Sequence, residues 1–192
     1  MIRILIVDDH AAVRAGLMSL LRREPGLVPL GAVGSAAEAL REARQREPLL
    51  ALIDYQLSDG DGLTLCRELK QLPKPPLVVV YSAFARPALS VAAKLAGAEG
   101  MLDKGVEVDD MFDVIRSVSR GETVLPPIAP EMLSRCTARL DPGDVSIFGM
   151  VMGGTPVVDV ASVMSTDERH VEDRVRAMLG DILSDAAQPS ER

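Results

Sequence analysis

The sequence predicts an α/β protein: an open, doubly wound parallel sheet of five strands, followed by a small all-helical domain. Three observations carry the prediction. The first 120 residues alternate short β-branched apolar runs with amphipathic stretches of helical period, the pattern of successive βαβ units. A proline-bearing stretch from Glu122 to Pro130 ends that alternation. Beyond it only the helical period remains, punctuated by Gly153-Gly154-Thr155-Pro156 and Ser165-Thr166-Asp167.

The strands are expected at Ile2 to Val7, Val28 to Val33, Leu49 to Ile53, Leu77 to Tyr81 and Gly100 to Leu102, each a run of Val, Ile and Leu that suits a pleated, buried surface. Helices are expected at 11–23, 35–46, 62–71, 86–96 and 108–120. Ser35 is placed to cap the second of these, with Glu38 in capping-box spacing, and Gly97 and Gly121 fall where helices end. Pro126-Pro127 cannot lie inside a helix. The domains are therefore expected at 1–121 and 140–185, with a semi-rigid linker at 122–139 that includes a short helix from Glu131 to Ala138, and a disordered tail at 186–192.

Composition narrows the class. Hydrophobic residues make up 47% of the 192 and aromatic ones 3%, so the cores must be aliphatic. No apolar segment reaches the roughly 18 to 20 residues of a membrane span. The chain opens on a strand rather than on a basic and apolar leader, so a cytoplasmic protein without membrane contact is expected. Cys66 and Cys136 have neither CxxC spacing nor nearby His, which argues against a metal knuckle or a redox pair. A net charge of −7 disfavours indiscriminate nucleic-acid binding.

In an open parallel sheet, ligands bind at the carboxyl ends of the strands. Asp8 and Asp9 end the first strand there and Asp54 the third. Three converging carboxylates repel one another unless a cation lies among them, and hard oxygen donors suit Mg²⁺. Such an ion also offsets charge on a phosphoryl group in transfer, with one carboxylate as nucleophile. Ser82 ends the fourth strand and Lys104 follows the fifth, adding a hydroxyl donor and an ammonium. Singly, each of these residues has an ordinary structural explanation; as a set they describe a phosphoryl-transfer cleft.

The string Ile-Leu-Ile-Val-Asp-Asp-His at 4–10, Asp54 followed by Gly60-Asp61-Gly62, Tyr81-Ser82-Ala83 and Asp103-Lys104 resembles the receiver domain of two-component response regulators, a flavodoxin-like fold. The ending Gly121-Glu122-Thr123-Val124-Leu125-Pro126 is similar to the NarL/FixJ branch. The resemblance implies Asp54 as phospho-acceptor, served by a sensor histidine kinase, in a protein that is not otherwise an enzyme. It implies Asp9, Asp54 and the Gln56 carbonyl as direct Mg²⁺ ligands, with Asp8 assisting through water. Ser82 becomes the switch hydroxyl and Lys104 the phosphate partner. Two positions depart from the pattern: Ser58 stands where the loop usually has Pro, and Met101 where a switch aromatic usually stands, so ring rotation is not available in its usual form.

The later segment, Leu140-Asp141-Pro142, Gly153-Gly154, Val160-Ala161, Met164, Val171, Val175 and Leu179, resembles the four-helix LuxR-type helix-turn-helix unit. Residues 171, 175, 178 and 179 share one helical face, and Asp167 is placed to cap that helix. The resemblance makes this the recognition helix, with Arg169, Arg174 and Arg176 as candidate DNA contacts and a homodimer as the expected assembly. Its charge runs the other way. After Pro126 six basic residues face eleven acidic ones, a balance of −5 without any Lys, and Glu172 stands where a Lys is common. Two expectations follow. One is a transcription factor controlled by phosphorylation and binding DNA; the other is a degenerate, acidic helix-turn-helix acting through protein contacts, with Val157 and Val158 as an apolar patch. His170 has no ligand partner in sequence and reads as a surface residue.

Overall fold

The computed structural model describes residues 1–83 and 87–187. Five strands alternate with helices as the periodicities require: β1 (Ile2–Val7), α1 (Ala11–Arg23), β2 (Leu27–Val33), α2 (Ala36–Arg46), β3 (Leu50–Asp54), then a short pair β4 (Gln56–Leu57) and β5 (Gly60–Asp61), α3 (Gly62–Lys70), β6 (Leu77–Ser82), α4 (Pro87–Leu95), β7 (Gly100–Asp103) and α5 (Val108–Ser119). Four helices follow: α6 (Pro130–Thr137), α7 (Pro142–Met152), α8 (Val157–Met164) and α9 (Glu168–Ala187).

The sheet order is β2-β1-β3-β6-β7 with every neighbour parallel, so the strand order reverses between β1 and β3. Pro29 lies on the edge strand β2, at the place where the β1–β2 register slips, which is where a residue without an N–H is tolerated. Ile4, Ile6, Leu50, Ile53 and Val79 are fully buried, each contributing about 1.5–3 kcal/mol of burial. β3 runs one residue beyond expectation, so Asp54 belongs to the strand itself, in register with Tyr81 of β6. The β4–β5 pair was not expected; Gln56 lies opposite Asp61 and Leu57 opposite Gly60.

Local signals set the helix ends. Ser35 accepts from the Glu38 N–H at 3.3 Å, and the Glu38 carboxylate accepts in return from Gly34 N–H at 3.0 Å. Asp61 accepts from the Leu63 and Thr64 N–H groups at 3.0 and 2.9 Å, opening α3. Gly97 and Gly121 take the left-handed backbone with φ of 86° and 90°, and so end their helices.

By contacts the chain divides into two compact units, Met1–Ala85 with Gly97–Leu125, and Arg86–Ala96 with Pro126–Arg192. In the second, residues 140–187 form three helices among the described residues, the last of them, α9, running unbroken for 20 residues. Val171, Val175, Met178 and Leu179 are all buried, as their spacing requires, and so are Phe148, Val151 and Val160 on α7 and α8, the helices that α9 packs against. Asp167 caps α9, accepting from His170 N–H at 2.7 Å. α8 ends on Ser165 in the left-handed conformation, φ 54°, and the tight turn to α9 follows. Of the tail expected from 186, Ala186 and Ala187 fall in α9, and 188–192 lie outside the described residues. No helix among the described residues is long and apolar enough to cross a membrane.

Candidate functional site

The reversal of strand order between β1 and β3 leaves a cleft at the carboxyl edge of the sheet, where neighbouring connections depart to opposite faces. Asp8 leaves β1 into this cleft. Its N–H donates to the Val33 carbonyl at 3.1 Å, and its own carbonyl accepts from the Arg14 guanidinium at 2.6 Å, so the turn is held on both sides. Asp54 ends β3. Both carboxylates are almost fully buried, at 1% and 4% exposure.

Lys104 joins them. Its N–H donates to the Ser82 carbonyl at 2.9 Å, which ties the start of the loop after β7 to the end of β6. Its ammonium lies 2.7 Å from Asp54 Oδ2 and 2.8 Å from Asp8 Oδ2. His10, Val13, Gln56, Ser82 and Ala83 line the cleft with Asp54 and Lys104. Ser82 is buried, and the Gln56 N–H donates to Asp54 Oδ1 at 3.3 Å. Asp8, Asp9, Asp54, Gln56, Ser82 and Lys104 thus come together from positions up to 96 residues apart. Met101 is buried within β7, where its N–H donates to the Val124 carbonyl at 3.0 Å.

Burial raises the Asp54 carboxyl above its ordinary value; the hydrogen bond and charge of Lys104 oppose this, and Asp8 adds to it. For Lys104, burial acts to lower the ammonium, but its hydrogen bonds to Asp54 and Asp8 prevail and hold it above its ordinary value. Three carboxyl groups around one ammonium leave a formal excess of two negative charges, which a divalent cation matches. Donor atoms of Asp8, Asp9, His10 and Asp54 all lie within 4.8 Å of one another. Asp9 Oδ1 is buried without a hydrogen bond of good geometry, although His10 Nδ1 is 2.7 Å away. A buried, unsatisfied carboxylate oxygen in a hard-oxygen cluster fits Mg²⁺.

Three roles here were not read from the sequence, although Tyr81 and Gly62 stand within its motifs. The Tyr81 ring lies 5.6 Å from the Lys104 ammonium, and its hydroxyl donates to the Lys104 carbonyl at 3.4 Å; its place before Ser82 was the available signal. Arg14, six residues after Asp8, faces back from the first turn of α1. Gly62 touches the backbone of Asp54 so closely that a Cβ there would lie 2.2 Å from the Asp54 carbonyl oxygen.

The three candidate arginines of α9 separate. Arg169 is exposed, and Arg176 is 62% exposed beside Asp173 at 3.5 Å. Arg174 forks onto both oxygens of buried Asp144, which fastens α9 to α7. Val158 is exposed and Val157 half-buried on α8, and His170 is exposed.

Five parallel strands in this order, with an acidic pocket and a lysine at the carboxyl edge, define a signal receiver domain. The family described as response regulator receiver domain matches residues 4–116. The DNA-binding transcriptional activator DevR/DosR of Mycobacterium tuberculosis is 28% identical, the alignment covering 93% of this chain and 87% of that protein. The transcriptional regulatory protein UhpA of Escherichia coli is 31% identical over 89% of this chain and 86% of its own length. Among solved structures, a LuxR-family two-component response regulator from Aurantimonas sp. superposes with a TM-score of 0.64 at 27% identity, covering 70% of this chain and 97% of that one. The chain belongs to the response regulator family, in its NarL/FixJ branch, and is a two-component regulator of transcription.

Proposed function

We propose that Asp54 accepts a phosphoryl group from a sensor histidine kinase, and that the change is read out as DNA binding by the C-terminal helices. The observation that supports this most directly is Lys104, whose ammonium sits between the buried carboxylates of Asp54 and Asp8. An Asp54 oxygen forms the new P–O bond while the N–P bond to the donor imidazole breaks; the imidazole leaves with the electron pair and takes up a proton. Lys104 then turns its donors to the phosphoryl oxygens, joined by the Ser82 hydroxyl. Asp8, Asp9, Asp54 and the Gln56 carbonyl would hold Mg²⁺. When bound, the ion supplies the positive charge that lets a phosphoryl group approach three carboxylates.

Residues 1–121 are the receiver, 122–139 the linker and 140–185 the DNA-binding domain in this reading, which works in the cytosol as a homodimer. The relative whose printed name states DNA-binding transcriptional activation supports this output over a purely protein-contact one. Within α9, Arg169 and Arg176 are the exposed groups suited to phosphate contact, and Arg174 serves the fold through Asp144. Titration of duplex DNA with the full chain, with and without beryllofluoride and Mg²⁺, tests the reading. Binding that tightens with beryllofluoride and is lost in Asp54→Asn is the expected result; equal binding in both states overturns phosphorylation control.

A further inference from the structure

The loop after Asp54 depends on something beyond its own hydrogen bonds. The β4–β5 ribbon has two residues per strand, and so short a ribbon is not stable by itself in water. Its turn is Ser58-Asp59, and neither residue has positive φ, so the turn is not one of the mirror-image types whose twist favours a tight hairpin. Both turn residues are exposed. Yet this ribbon carries Gln56, whose N–H donates to Asp54 Oδ1.

The anchor is Asp59. One carboxylate oxygen accepts from Ala36 N–H at 2.9 Å and the other from Ala37 N–H at 3.2 Å, 23 and 22 residues away. These are the first two amides of α2, among the donors that a helix leaves without internal partners, and the positive end of the helix dipole favours an anion there. Ser35 already satisfies the third amide, at Glu38. The same N–H groups, led by Ala36, hold the Asp59 carboxyl below its ordinary value.

We propose that Asp59 is a positioning residue for the phosphoryl site, clamping the β4–β5 turn to the N-terminus of α2 so that Gln56 is fixed against Asp54 and the cation position. The proposal rests on the function given above. The full chain is compared as wild type, Asp59→Ala, Asp59→Asn, and Asp59→Ala combined with Ser58→Pro, by fluorine NMR of beryllofluoride uptake at increasing Mg²⁺ and by thermal unfolding. Asp59→Ala raises the Mg²⁺ needed for half-uptake about tenfold, the size of an outer-shell effect on metal affinity. Asp59→Asn, which keeps one acceptor oxygen, falls between. Proline at 58 restores uptake, because it fixes φ at the first turn position, where a negative φ already stands.

An unchanged Mg²⁺ dependence with a lowered unfolding temperature makes Asp59 a helix cap only and overturns the proposal. So does a weakened uptake that proline at 58 fails to restore. Absence of uptake by the wild type itself overturns the reading of the site, and is told apart because it does not depend on residue 59.

Discussion

Above the ordinary carboxylate range the ionised Asp54 side chain opposes folding, because burial disfavours its charge more than Lys104 stabilises it. Its folded-state pKa lies above the ordinary 3.8, so its contribution to stability is full only below that value and is lost as pH rises through the raised one. At pH 7 without Mg²⁺, Asp54→Asn is therefore expected to stabilise the chain and to leave Lys104 paired with Asp8. Urea titrations at pH 7 and at stepwise lower pH measure it: the gain should shrink toward the ordinary carboxylate range, and a loss of stability at neutral pH would refute the argument. Gly62 supplies a second residue-scale test. A Cβ meeting the Asp54 carbonyl at 2.2 Å forces the backbone apart, so Gly62→Ala should cost about 2–3 kcal/mol and impair beryllofluoride uptake. Gly60 has open space around its Cβ position, so Gly60→Ala serves as the control and should leave uptake intact. The acidic pair, Asp54, Ser82 and Lys104 were legible because each closes an apolar strand run. Gly62 was legible as part of a motif, but its reason, an approach of two backbones, exists only after folding.

At the scale of elements, α9 is held by a charge pair rather than by apolar packing alone. Asp144 is 6% exposed, so removing its partner strands a carboxylate in the interior. Arg174→Ala is expected to lower stability clearly more than Arg176→Ala, because it leaves the Asp144 carboxylate without its partner, whereas Arg176→Ala, at an exposed ion pair, should change stability by less than about 0.5 kcal/mol. Urea unfolding followed by circular dichroism separates the two, and equal effects would mean that the Arg174 fork carries no stability. Nothing in the sequence marked Arg174 apart from its neighbours, since its partner lies 30 residues earlier and both read as surface charges on amphipathic helices. The caps Ser35 and Asp167 were readable because a cap is decided within four residues. The β4–β5 ribbon was not: its turn lacks the Asn-Gly or Gly-X signature of a hairpin, and the amides that hold Asp59 belong to α2, more than 20 residues earlier.

Across the whole molecule, charge sets how DNA can be bound. With two exposed arginines on α9 and eleven acidic residues after Pro126, few counterions are available for release. The logarithm of affinity should fall against the logarithm of salt with a slope of only about −2 per bound protomer. A slope steeper than about −5 would place the main phosphate contacts outside α9. The bulk charge was fully readable in advance; its distribution was not, because Asp144 neutralises one arginine internally.

The open flank of β7 has a consequence for how the first unit behaves alone. Val124 accepts from Met101 N–H at 3.0 Å and donates to the Glu99 carbonyl at 2.7 Å, a one-residue parallel bridge on the side of β7 away from β6. An unpaired strand edge is a template for another chain, and this bridge occupies it. The segment that leads out of α5 is therefore also a guard against self-association. A chain ending at Gly121 should associate more strongly by light scattering than one ending at Leu125, because it bares the edge of β7.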